Sequence, residues 1–348
     1  MFNILISFIF VFVLIFPISA FALEKGEQIK IFDERIRGLQ RQGILPIIDT
    51  EFHHGGQVEI ESLIKEMDEN GVALIWLGPI QKLGSEESLR LNVLHPDRFV
   101  PTTIHGDSKL WHSGNKRFLE RLAKDVRTGK YFAMGEFEAR HYPSSTNTRD
   151  EHTTVDSEAM QVVFELSSET GMVFLLHHEA EDVLLPELER MLVKYPKAKV
   201  IWCHVGRNRN PETWIKFRKA DAVKEFLSKY QNLYFNFLAS EPGSKYQPGK
   251  GYAAKKRGEG YVEGIMYDYS FGGVSLASEW KKVIEEFPDR FVLGSDANTG
   301  GGLEKFQKYD KVTHIFRNII LKGVKKDVAE KIAFKNAWKL MIGKAWED

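Results

Sequence analysis

Residues 44–56 read ILPIIDTEFHHGG. The run opens as an apolar strand, residues 44–49, and ends in side chains of the metal-ligand type. Asp49, Glu51 and His53 alternate, which on extended backbone directs all three to one face. A carboxylate and an imidazole two residues apart at the end of an apolar strand form half of a metal site. The plainer alternative is a polar strand end with a hydrogen-bonded histidine, because short matches of this kind also arise by chance.

The fold follows from the recurrence of this pattern. Seven further apolar strands are expected at residues 72–77, 99–104, 131–138, 172–176, 199–203, 233–237 and 290–293. Helical segments separate them, at residues 58–70, 86–94, 116–127, 155–169, 186–194, 211–229 and 278–286. A charged lead-in helix (24–41) precedes the series and two helices (303–320 and 326–342) close it. Strands alternating with helices predict a parallel sheet, and eight is the number that closes a (β/α)8 TIM-type barrel. An open doubly wound sheet is the other architecture to consider. It is disfavoured because no glycine-rich dinucleotide fingerprint follows the first strand.

The chain has 348 residues, enough for one large barrel, and 43% hydrophobic content, ordinary for a globular protein. Lysine plus arginine equals aspartate plus glutamate at 48 each, so net charge gives no push toward nucleic acid or an anionic membrane surface. Residues 4–16 are almost wholly apolar, and Ala20-Phe21-Ala22 follows as a small-x-small cleavage pattern. Residues 1–22 therefore read as a secretory signal peptide, which makes the protein periplasmic or secreted, with residues 23–348 as one barrel domain. No Lys or Arg precedes the apolar run, which leaves an uncleaved membrane anchor as the alternative. Cys203 is the only cysteine, so no intramolecular disulfide forms. Within an apolar strand it reads as a small buried hydrophobe rather than a nucleophile.

The metal-type residues fall where the apolar strands give out. Glu51 and His53 end strand one, Glu136 ends strand four and His177 ends strand five. His204 ends strand six and Asp296 follows strand eight. In a parallel barrel these ends converge on one mouth. Residues 239–273, after strand seven, form a long loop rich in Gly, Tyr and Lys, expected over that same face.

At these residues the sequence resembles the amidohydrolase superfamily. The similarity is closest to its amidohydrolase-related branch of metal-dependent hydrolases and decarboxylases, and weaker to the TatD-type hydrolases. Strand one looks like the family's D-x-H-x-H. Residues 171–177 (GMVFLLH), 195–207 (with WCHVG) and 291–296 (FVLGSD) look like its fifth, sixth and eighth strand segments. Residues 329–343, with Asn336, are similar to its C-terminal helix. The resemblance implies one or two divalent cations, zinc first and manganese as an alternative. Their ligands by position are His53, His177, His204 and Asp296, with Glu136 at the position that can bridge two metals. Glu51 stands where the family has its first histidine, an oxygen donor in place of nitrogen. By the same resemblance Asp296 is the catalytic proton carrier.

The expected activity is hydrolysis of a small ester, amide, lactone or phosphoester by metal-activated water. Non-oxidative decarboxylation and an inactive metal- or ligand-binding barrel are the alternatives. The expected partner is a small-molecule substrate, with no nucleic acid and no membrane beyond the N-terminal segment; oligomeric state is not legible. His178 is expected on the opposite side of its strand from His177, and His54 in a loop. Arg207 and Arg209 stand at the mouth as candidate anion contacts, and His141 within its reach. His95, His105, His112, His152 and His314 receive no role.

Overall fold

The computed structural model describes residues 23–56, 59–80, 82–141, 149–205, 220–238, 244–247, 251–254, 266–268, 273–298 and 309–348. Eight strands build the central sheet: β1 (Ile47–His54), β2 (Val72–Pro79), β3 (Phe99–Pro101), β4 (Ala133–Glu138), β5 (Val173–His177), β6 (Lys199–Val205), β7 (Leu233–Leu238) and β8 (Phe291–Gly294). All neighbouring pairs are parallel, in the order β3-β2-β1-β8-β7-β6-β5-β4. The ring closes between its two ends. Thr102 bridges Ala133 and Gly106 bridges Phe137, both parallel. The result is a (β/α)8 barrel whose strands run in sequence order around the axis.

The strands are apolar because both faces are covered, one by the barrel interior and one by helices. Every residue of β1, β2 and β4 is buried. The helices supply the outer layer through one apolar stripe each. Lys116–Arg127 buries Phe118, Leu122 and Val126, spaced by four residues on one face. Its Asn115 side chain caps the helix by accepting from Phe118 N, and Ser157 does the same for Glu158–Thr170 through Met160 N.

The expected helices at 116–127, 278–286 and 326–342 keep their bounds, and the others shift by one to three residues wherever both ends are described. Two of the strands differ more. β1 runs on to His54, so His54 is a strand residue and not a loop residue. β3 is only three residues long, and the chain beyond it is tied to β4 by the isolated bridges above. The helix expected at 211–229 is described from Ala220, and the one at 303–320 from Tyr309. Residues 1–22 lie outside the described residues, as does most of the loop expected at 239–273. Within that loop Ser244–Gln247 pairs antiparallel with Gly251–Ala254. Among the described residues no helix is long and apolar enough to cross a membrane.

Candidate metal centre

Three strands carry one extra residue at the point where they deliver a site residue. In β1, Asp49 pairs with Ile75 and Phe52 with Leu77, three residues against two. In β4, Met134 pairs with Phe174 and Phe137 with Leu176, and the surplus contains Gly135 and Glu136. In β6, Trp202 pairs with Phe235 and Val205 with Phe237, and the surplus contains Cys203 and His204. A bulge of this kind re-aims a side chain, because the alternation of faces slips by one residue. Gly135 takes φ +66°, a conformation that costs glycine nothing. His204 (φ 68°) and Asp296 (φ 51°) are the only other-than-glycine residues with positive φ among the described residues. Strain of roughly 1–3 kcal/mol at such positions is held by the surrounding structure.

The bulge in β1 corrects one expectation. Asp49 does not share a face with Glu51 and His53. It turns toward Tyr309, whose hydroxyl donates to Asp49 Oδ2 at 3.1 Å and whose ring meets Phe52 edge-on at 5.7 Å. Asp49 Oδ1 accepts from the backbone N–H of Ser295 (2.8 Å) and of Glu51 (3.2 Å). Ser295 Oγ in turn donates to Glu51 O at 3.0 Å. Asp49 is therefore a clamp between the ends of β1 and β8. Burial pushes its carboxyl up to about 6 against these hydrogen bonds.

The structure brings all six predicted site residues into one cluster. His53 Nε2 lies 3.0 Å from Asp296 Oδ1, 3.5 Å from Glu136 Oε2 and 3.9 Å from Glu51 Oε1. Glu136 Oε1 lies 3.1 Å from both His177 Nδ1 and His204 Nε2. His204 Nε2 is 3.5 Å from Glu51 Oε1. Glu136 thus faces His53 with one oxygen and His177 and His204 with the other. The side chains are almost fully buried except Asp296, which keeps 26% of its side-chain surface exposed.

Burial raises Glu51, and the nearby charges of Glu136 and Asp296 raise it further, so its carboxyl sits well above the usual range. Burial opposes ionisation of Glu136 too, but the His177 and His204 rings outweigh it and hold that carboxyl well below. Burial pulls His53 down, yet its hydrogen bond to Asp296 and the charges of Glu136 and Asp296 lift it to about 9.

Two further residues stand at this cluster, neither of them given a role in the sequence reading above. Asn236, on β7 and fully buried, donates from Nδ2 to Glu51 Oε2 (2.5 Å) and accepts at Oδ1 from His204 N (2.7 Å). The only signal was one amide inside the apolar run LYFNFL. His105, given no role above, is buried with its ring edge-on to His53 at 4.7 Å between centroids. Burial, with the neighbouring His53 adding to it, pulls its pKa down to about 3.

The remaining candidates separate cleanly. His178 turns away from the cluster, toward Trp202 (5.9 Å) and Glu187 (3.7 Å). His54 also points away, to Glu87 at 3.5 Å. His141 does reach the mouth, its ring 5.1 Å from that of His177. Glu179 Oε1 stands 3.7 Å from His177 Nε2, on the far side of that ring from Glu136. Cys203 is buried, and burial pushes its thiol up, away from the nucleophilic form. Arg207 and Arg209 lie outside the described residues.

The donor set fits a divalent cation. Three overlapping groups each have ligand atoms within 4.8 Å of one another: Glu51, His53, Glu136 and Asp296; Glu136, His177 and His204; and His53, His105 and Glu136. Glu51 Oε1, at the centre of the cluster, is buried without a hydrogen bond among the described residues. Three carboxylates packed this closely are mutually repulsive, and a positive ion among them removes that cost.

Among solved structures the chain is similar to an amidohydrolase from Burkholderia multivorans with bound zinc. The two are 13% identical over 85% of this chain and 99% of that one, with a TM-score of 0.50. The likeness is one of fold, a (β/α)8 barrel. A variant organophosphorus hydrolase from Deinococcus radiodurans is 10% identical over 84% and 92% of the two chains, with a TM-score of 0.49. A dihydroorotase from Campylobacter jejuni is 14% identical over 87% and 85%, with a TM-score of 0.48. No family model matches the chain, and no curated protein matches it.

Proposed function

We propose that this chain is an exported metal-dependent hydrolase of the amidohydrolase type, acting on a small ester, amide, lactone or phosphoester. The observation that carries the reading is the shared position of Glu136. One of its oxygens faces His53, and the other faces His177 and His204. Such a carboxylate can serve two cations at once. Glu51, His53, Glu136 and Asp296 would hold one, and Glu136, His177 and His204 the other. With nitrogen and oxygen donors and no thiolate, the set suits zinc, and its oxygen content admits manganese.

A bound divalent cation supplies Lewis-acid activation of a water and of a substrate oxygen, lowering the pKa of water from 15.7 toward about 7. The protein's own groups do the rest. Asp296, the most exposed of the six, is the group that can meet both a water and a substrate, and it takes the proton and returns it to the leaving group. His53, hydrogen-bonded to Asp296 Oδ1, fixes the direction of that carboxylate. The Asp49–Ser295 clamp holds the backbone on which Asp296 sits. Residues 1–22 support export, and cleavage after Ala22 would leave Leu23 as the mature N-terminus.

The experiment is metal analysis of purified protein together with turnover of a panel of simple esters, lactones, phosphoesters and dipeptides. Bound zinc or manganese with metal-dependent turnover of any of them supports the reading. Protein without metal after zinc or manganese loading overturns it. N-terminal sequencing of the chain from an exporting host tests the export proposal, and a chain that retains Met1 counts against cleavage.

A further inference from the structure

The two halves of the cluster are unequally supplied with nitrogen. His177 and His204 serve one side of Glu136, whereas His53 alone serves the other, beside the carboxylates of Glu51 and Asp296. Glu51 leans toward both sides, 3.9 Å from His53 Nε2 and 3.5 Å from His204 Nε2. The acid-rich side is therefore one imidazole short of its counterpart.

His105 stands at that side. Its backbone is fixed between two strands: His105 N donates to Pro79 O at 3.2 Å, and the next residue, Gly106, donates to Glu136 O at 2.7 Å. A ring nitrogen of His105, a ring nitrogen of His53 and a carboxylate oxygen of Glu136 lie within 4.8 Å of one another. The ring is held there by design of the neighbouring strand. At Gly78, near the end of β2, a Cβ would overlap His105 Nε2 and both adjoining ring carbons, so only glycine leaves this space. The other nitrogen, Nδ1, is buried and has no hydrogen-bond partner among the described residues. Leaving a buried polar atom unsatisfied costs about 1–3 kcal/mol, and a cation is a partner that removes this cost for an imidazole nitrogen.

We propose that His105 is a further metal ligand, giving the acid-rich half its second imidazole and selecting there a borderline cation such as zinc over magnesium or calcium. The proposal rests on the reading of the cluster as a metal centre. It goes beyond that reading by adding a ligand from the segment after β3.

Two variants and one wild-type measurement test it. His105→Ala removes the nitrogen, and Gly78→Ala keeps the imidazole but displaces it. Zinc affinity by chelator competition and the visible spectrum of the cobalt-substituted protein are read for each, with far-ultraviolet circular dichroism to verify folding. Both folded variants should bind one of their zinc ions at least about tenfold more weakly, with a changed cobalt spectrum, while the other ion is retained. Wild-type affinity and an unchanged cobalt spectrum in folded His105→Ala would overturn the role of His105 while leaving the metal centre intact. A wild-type protein that takes up no zinc overturns the centre itself. Should neither variant fold, wild-type protein with isotope-labelled histidine and NMR-active cadmium decides. A cadmium–nitrogen scalar coupling at His105 supports direct ligation, and couplings only at other histidines refute it.

Discussion

The two halves of the centre share Glu136 and differ in nearly everything else. The half built on β1 and β8 is rich in oxygen: Glu51, His53 and Asp296, tied together by Asp49, Ser295 and Tyr309. The half built on β5 and β6 is rich in nitrogen: His177 and His204, with Glu179 beside the outer edge of the first ring. The same Glu136 carboxylate therefore meets repulsion from Glu51 on one side and stabilisation from two imidazoles on the other. A cation is worth most in the oxygen-rich half, where it neutralises carboxylates that otherwise oppose one another. The nitrogen-rich half depends less on charge and more on the lone pairs of two rings.

Breaking the shared residue should have the largest effect. Glu136→Gln weakens both halves at once, so metal content collapses and turnover drops further than for any other single change at the centre. Asp296→Asn comes next. It should keep the fold and much of the metal but remove the proposed proton carrier, lowering kcat by about 10²–10⁴-fold. Retained turnover would remove Asp296 from that role. His177→Ala and His204→Ala sharpen the contrast. Each should lower metal content at the nitrogen-rich half while the oxygen-rich half keeps its ion, as read by metal stoichiometry after dialysis. Asn236→Ala leaves every ligand in place but frees Glu51 Oε2 and the His204 backbone. Metal affinity should fall by about 10–100-fold, with little change in secondary structure by circular dichroism.

The smallest expected effect is on the metal-free protein and depends on pH. His53 titrates near 9 in the fold, above its ordinary value of 6.5. A group raised in this way binds its proton more tightly when folded. Its contribution to stability is complete below pH 6.5 and is lost as pH rises through 9. A cation competes with the same proton, so metal affinity should rise over that window. Thermal melts of the chelated protein and zinc titrations at several pH values check both slopes. Flat profiles between these limits would show that His53 is not held by Asp296 and Glu136 as described.

The fold was legible because each strand is an apolar run long enough to be counted, and the site because acidic or imidazole groups stand at the ends of five of those runs, strands one, four, five, six and eight. What misled was the counting of faces. Alternation placed Asp49 beside Glu51 and His53, and one surplus residue in β1 undid it. Periodicity cannot register a bulge, since the sequence carries no gap there. Asn236 was missed because one amide in LYFNFL looks like ordinary alternation, and only the partner strands show that it faces Glu51. His105 follows directly on the run expected as strand three, residues 99–104, so the signal that marked His177 and His204 stands there too, although β3 itself stops at Pro101. Arg207 and Arg209, and with them the expected anion contacts, lie outside the described residues.

His204 and Asp296 hold a backbone shape that suits glycine better than either of them. Glycine at either position would relax the chain while deleting a proposed ligand. A directed-evolution campaign that rewarded heat resistance alone would thus be drawn to those two codons, and its hardiest survivors would be inert. Any screen for a tougher version of this protein should score catalysis alongside melting temperature.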